Sequence, residues 1–163
     1  MKFFVLTIGL LFVVFLSVDS TVAQNADANA NTEQYISLLR KDLRSQKKQY
    51  IAANITLTAD EATKFWPVYD HYAAETERIN NDRITVLKEY AANIANLTDG
   101  QALALNNKSL AIDRSFVTLR QRFIPQFVKV LSGKNLARFF QIDKRIGLLI
   151  DLQIAAGVPI VEP

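Results

Sequence analysis

Three times in this chain a leucine precedes a hydroxyl residue that stands three positions before a polar side chain. The copies are Leu57-Thr58-Ala59-Asp60-Glu61, Leu97-Thr98-Asp99-Gly100-Gln101 and, in weaker form, Leu131-Ser132-Gly133-Lys134-Asn135. In each, the hydroxyl oxygen can accept from the backbone amide three residues on. In the first two, the Glu61 or Gln101 side chain can reach back to the amide of the capping residue. This reciprocal arrangement satisfies donors that a helix start leaves free. The preceding leucine sits where it can staple against Ala62, Ala102 or Leu136 in the first turn. A chain marked in this way has three fixed helix starts, and the residues between the marks must be long helices joined by short turns.

The stretches between the marks keep helical spacing. Phe65, Tyr69, Tyr72, Thr76, Ile79, Arg83, Val86, Tyr90 and Ile94 form one stripe. Leu103, Leu110, Phe116, Leu119, Phe123, Phe127 and Val130 form a second, and Leu136, Phe139, Phe140, Ile142, Ile146, Leu149 and Ile150 a third. An earlier helix is expected over residues 33–51, with Tyr35, Leu38, Leu39, Leu43, Gln46 and Tyr50 on its inner face and Arg40, Lys41, Arg44, Lys47 and Lys48 opposite. Pro67 and Pro125 fall inside the long runs, and a kink or break is expected at each, since proline removes an amide and crowds the preceding turn. Gly157 and Pro159 close the last helix, and residues 158–163 form an apolar tail that can fold back on the body. No alternating strand pattern competes. The expected fold is all-α: four helices, two of them long and kinked at Pro67 and Pro125.

The N-terminus reads as an export signal. Lys2 is followed by an apolar run from Phe3 to Val18, then by small residues at Thr21 and Ala23. That order of charge, apolar stretch and small-residue site is a secretory leader, with cleavage after Ala23. The alternative is an uncleaved anchor, against which the run is shorter than the ~20 residues a spanning helix needs. Residues 24–32 are small, polar and unpatterned and read as a disordered tail. The expected organisation is a signal peptide over 1–23, that tail, and a single helical domain over 33–163, located in the periplasm with no membrane span after cleavage.

The chain has no cysteine and one histidine. A disulfide framework and a thiol nucleophile are therefore excluded, and a tight transition-metal site lacks ligands. His71 has Asp70 and Glu75 near it in sequence but no positioned nucleophile, and reads as a surface histidine. The acids Asp70, Glu75, Glu77, Asp82 and Glu89 lack the Glu-x-x-His pairs of a carboxylate-bridged di-iron bundle. No catalytic, cofactor or metal residues are assigned, and the chain is not read as an enzyme.

Charge is distributed unevenly. Residues 60–99 carry eight acids and four bases, and residues 108–145 carry nine bases and two acids. The two segments can pair with each other, while the surplus on the basic one leaves a positive surface for a partner. Export removes nucleic acid from the candidates and leaves polypeptides and lipid headgroups. The aromatic group Phe65, Trp66, Tyr69 and Tyr72 around Pro67 reads either as core or as an apolar patch for clients. Phe139 and Phe140 divide in the same way, one inward and one rotated by about 100°. The candidate protein-binding residues are Phe65, Trp66, Tyr69, Arg120, Arg122, Lys129, Arg138 and Phe139.

The paired Leu-Thr-x-x-Glu/Gln motifs behind a signal peptide resemble the Spy/CpxP-like LTxxQ family of periplasmic proteins over about residues 33–158. The strings Phe65-Trp66-Pro67-Val68-Tyr69-Asp70-His71-Tyr72 and Ala137-Arg138-Phe139-Phe140-Gln141-Ile142-Asp143 are similar to a branch labelled as sensors of extracytoplasmic-function sigma factors. The resemblance implies bent antiparallel helices that form a homodimeric cradle. It implies ATP-independent, chaperone-like binding of non-native or partner proteins in envelope stress or, alternatively, sensing through a membrane-bound signalling partner. Metal binding in that family uses His-rich or Met-rich segments, which this chain lacks. N-terminal sequencing of the exported protein is expected to begin at Gln24 or within a few residues of it; a retained Met1 would overturn the leader assignment.

Overall fold

The computed structural model describes residues 43–161; the leader, the 24–32 tail and the first part of the expected N-terminal helix lie outside them. The described residues form four helices and no strand: α1 (Leu43–Asn54), α2 (Ala59–Asn93), α3 (Asp99–Val128) and α4 (Gly133–Gly157), with one 3-10 turn at Ile94–Asn96 before α3. At ~1.5 Å per residue the 35 residues of α2 span about 52 Å.

The three marked starts are the N-termini of α2, α3 and α4. Thr58 accepts from the Glu61 amide while the Glu61 carboxylate takes the Thr58 amide. Thr98 and Gln101 repeat the exchange, and Ser132 accepts from the Asn135 amide. The first and third starts are also locked together. The second Glu61 oxygen accepts from the Ser132 amide at 3.0 Å, and Asn135 Nδ2 donates to Glu61 and to the Thr56 carbonyl. The capping-box glutamate of α2 thus also serves the start of α4.

Contacts along the helices set their directions. Glu75 on α2 pairs with Arg122 on α3, and further along α2 Glu89 pairs with Lys108, nearer the start of α3. The two helices are therefore antiparallel, and the acidic and basic segments do pair in part. Tyr72 to Asp143 and Arg83 to Asp151 run in step along α2 and α4, which makes that pair parallel. Arg138 near Asn54 and Asp143 near Lys47 make α1 antiparallel to α4. The architecture is an up-down-up-down bundle, as short connections favour.

Most of the core lies at one end of the bundle. Ile51 of α1, Ile55 just after it, Phe65, Tyr69 and Tyr72 of α2, Leu119, Phe123 and Phe127 of α3, Leu131 of the last turn, and Phe139 and Ile142 of α4 form one cluster. Its rings meet edge-on or tilted, with Phe65–Phe139 centroids 5.4 Å apart and Phe127–Phe139 4.7 Å, the geometry that ring quadrupoles favour. A smaller cluster around Ile84 and Ile154 takes in Val158. There the C-terminal tail folds back, with Tyr90 Oη donating to the Pro159 carbonyl at 2.6 Å.

Two sequence expectations, the buried face of α1 and those of α3 and α4, need correction. Both long helices continue through their prolines. Pro67 and Pro125 are exposed, as are Thr63 and Gln121, whose carbonyls they leave without an amide, so water can take those carbonyls. On α1, Tyr50 and Gln46 face solvent, while Ile51, Ile55 and the supposedly outer Lys47 face inward. On α3 and α4, Leu103, Leu110 and Leu149 are exposed, and Leu105, Ile112 and Ile154 are buried instead. These helices carry apolar residues on more than one face, so spacing alone does not select the buried one.

Thr58→Ala and Thr98→Ala are each expected to cost about 1 kcal/mol of stability in denaturant unfolding. The Ser132 amide, and after it the Thr58 amide, hold the Glu61 carboxyl below its ordinary value of 4.5. A lowered carboxyl stabilises the fold above that ordinary value and stops doing so as pH falls through the lowered one. The melting temperature of wild type is therefore expected to fall towards that of Glu61→Gln as pH drops below 4.5. Parallel pH profiles for the two proteins would contradict this role.

Candidate protein-binding site

Asp143 is the only buried charged residue among the described residues, at 2% exposure. It lies on the inner face of α4 one turn after Phe139, and one side chain from each other helix converges on it. Lys47 Nζ of α1 is 2.6 Å from Oδ1. Tyr72 Oη of α2 donates to Oδ2 at 2.8 Å, and Arg120 Nε of α3 lies 3.4 Å from the same oxygen. Burial first, and then the Asp143 charge, push the Tyr72 phenol far above its usual value, so it remains a donor at any physiological pH. Next to this group, Lys48 pairs with Asp70 at 2.8 Å and lies 5.2 Å from the centroid of the Trp66 ring.

The candidate binding residues separate by location. Phe65, Tyr69 and Phe139 are 0–1% exposed and belong to the core. They offer no surface to a partner in this packing, because each is enclosed by rings from the neighbouring helices. Trp66 is half-buried at the edge of that cluster, against Phe65 and Lys48. Arg120 is committed to Asp143 and Arg122 to Glu75. Arg138 donates to the Asn54 carbonyl at 2.6 Å, where it closes the C-terminus of α1. Lys129 is exposed at the end of α3 and makes no ion pair among the described residues. The eight candidates therefore do not form one patch. His71 is exposed, and no group of three His, Cys, Asp or Glu side chains suited to a metal occurs among the described residues.

Two features were missed by the sequence reading. The first is a line of exposed apolar side chains on α3. Leu103, Leu110, Val117 and Ile124 recur every seventh residue and are 41–63% exposed, and Val128 continues the line. They lie opposite the buried Leu105, Ile112 and Leu119, so α3 is apolar on two faces. Leu148, Leu149 and Leu152 make a second exposed group on α4. The seven-residue repeat was visible in the sequence as a second apolar stripe.

The second feature is a cleft of about 340 Å³ between α2, α3 and α4. The Asp143 cluster lies at one end, and the Arg83–Asp151 pair (2.7 Å) crosses at the other. Thr76 and Asn80 line it from α2, Phe116 and Val117 from α3, and Gly147 and Ile150 from α4. The signal for its polar end was an acid at a core-phase position of α4 within the basic segment. Among the described residues, no helix is long and apolar enough to cross a membrane.

Asp143→Asn leaves two partly buried cations facing a neutral amide and is expected to cost about 3 kcal/mol, the low end for a broken buried pair. Tyr72→Phe removes one hydrogen bond to a charged acceptor and is expected to cost about 1.5 kcal/mol. Urea unfolding measures both; a neutral Asp143→Asn would show that the cluster does not organise the bundle.

Comparison of the chain with family models, with curated proteins and with solved structures found no match.

Proposed function

We propose that this chain is an exported, periplasmic, ATP-independent protein that binds non-native or partner proteins, with no catalytic role and no cofactor. The observation that carries the reading is the second apolar face of α3. A buried stripe holds α3 in the bundle, and Leu103, Leu110, Val117, Ile124 and Val128 remain on its outer side. Exposed apolar side chains repeated along one helix face, here separated by Asn107, Arg114 and Gln121, suit an amphipathic contact site. Arg114, Lys129, Lys134, Lys144 and Arg145 lie exposed on α3, α4 and the turn between them, and none makes an ion pair among the described residues. Unpaired positive charge raises the encounter rate with acidic segments of a client, and apolar contact then holds it. The outer face of α3 is also where a second copy would dock in a homodimer.

Light scattering of a chemically unfolded client tests the reading. At several-fold excess and without ATP, the exported protein is expected to suppress aggregation. The effect should weaken as salt rises above about 0.15 M, where the screening length falls below ~8 Å. Replacing Leu103, Leu110 and Ile124 together by Gln is expected to abolish suppression and lower the melting temperature only slightly, since the three are 41–63% exposed and Gln keeps the helix propensity. Unchanged client aggregation with the wild-type protein would remove the chaperone reading and leave a dedicated sensor with one specific partner.

A further inference from the structure

We propose that the cleft between α2, α3 and α4 is a small-molecule site for a carboxylate carried on an unbranched apolar stem. Charge is concentrated where the cleft meets the Asp143 cluster. Lys47 and Arg120 both line the cleft, their side chains 17% and 30% exposed, and the one carboxylate between them is Asp143. Two cations largely removed from water share a single negative charge, so one positive charge remains uncompensated. Such a charge is costly in a poorly solvated position, and an incoming anion offsets that cost. The rest of the lining does not change the balance: Asp151 pairs with Arg83, and the exposed Asp113 is matched in number by the exposed Lys144.

Beyond the Asp143 cluster the walls are mixed, with Phe116 and Val117 on one side and Ile150 on the other set among Thr76, Asn80 and Lys144. Gly147 leaves the floor open, since a Cβ built there meets nothing within 4 Å. A stem behind a head that pairs with Lys47 and Arg120 therefore has Phe116, Val117 and Ile150 to pack against. At about 340 Å³ the cleft is at the small end of ligand sites, which run from ~300 to ~1,000 Å³. That volume suits a medium-chain fatty acid or the apolar C-terminal residues of a peptide, both of which present the same chemistry. The site shares Val117 with the outer line of α3 but does not use Leu103, Leu110 or Ile124, so replacing those three tests the protein-binding reading without touching the cleft.

Isothermal titration of the exported protein tests the proposal with decanoate, with decyltrimethylammonium, and with a pentapeptide ending in Val-Leu-Leu as free acid and as amide. Decanoate is expected to bind saturably with a Kd below about 1 mM, and the cationic amphiphile is not. Binding of the free-acid peptide but not its amide would show that the site also accepts a polypeptide end; binding of decanoate alone would confine it to fatty acids. Arg120→Gln removes half of the cationic pair and is expected to weaken decanoate binding by about tenfold or more. Because that variant perturbs the Asp143 cluster, Gly147→Leu provides a separate steric test. It fills the open floor, favours the helix, and is expected to abolish binding while the melting temperature holds or rises. Lys64→Gln, an equal loss of charge at the exposed start of α2, is expected to change nothing. No saturable binding of decanoate, equal binding of the cationic amphiphile, or unaltered binding by Gly147→Leu would each overturn the proposal.

Discussion

One buried carboxylate meets a side chain from each of the other three helices, and the rest of the bundle depends on that meeting. Asp143 takes the Lys47 ammonium, the Tyr72 hydroxyl and the Arg120 guanidinium within 3.4 Å. A lone ionised carboxylate at 2% exposure would be strongly disfavoured, so the helices must present these partners together or not close at all. This requirement is directional in a way that apolar packing is not. It selects the face of α1 that docks, turning Lys47 inward and Tyr50 outward, and it fixes the register of α2 and α3 against α4. The surrounding rings supply the burial and the carboxylate chooses among the ways of achieving it.

The helix starts add a second constraint at the same end of the molecule. Glu61 accepts from the first turn of its own helix and from the first turn of α4. Two capping motifs that look independent along the chain are therefore one hydrogen-bonded unit. Asn135 extends it to the Thr56 carbonyl just after α1, so three of the four helices are tied within a few residues of one another. The other end differs. The hairpin of α2 and α3 is closed by the Thr98 cap and held by a thin apolar seam that includes Ala91 and Leu105. The tail after α4 reaches towards this end as well, where Tyr90 donates to the Pro159 carbonyl.

The sequence by itself determined where three helices begin and how long they run. Caps are local: a hydroxyl, an amide and a side chain within four residues decide them, and no distant contact is needed. The all-helical class and the short connections follow from the same marks. Which face of each helix turns inward was decided only by the tertiary structure. Leu103 and Leu105, or Tyr50 and Ile51, are comparably apolar, and helical spacing accommodates either choice. Phe65, Tyr69 and Phe139 could be read as patch or core until rings from the other helices enclosed them. The cleft and the charge centre were illegible for the same reason, because Lys47, Tyr72, Arg120 and Asp143 are far apart in the chain and their pairing is a long-range electrostatic choice. A capping motif carries its partner within its own turn, whereas a buried charge finds its partners only when the helices pack.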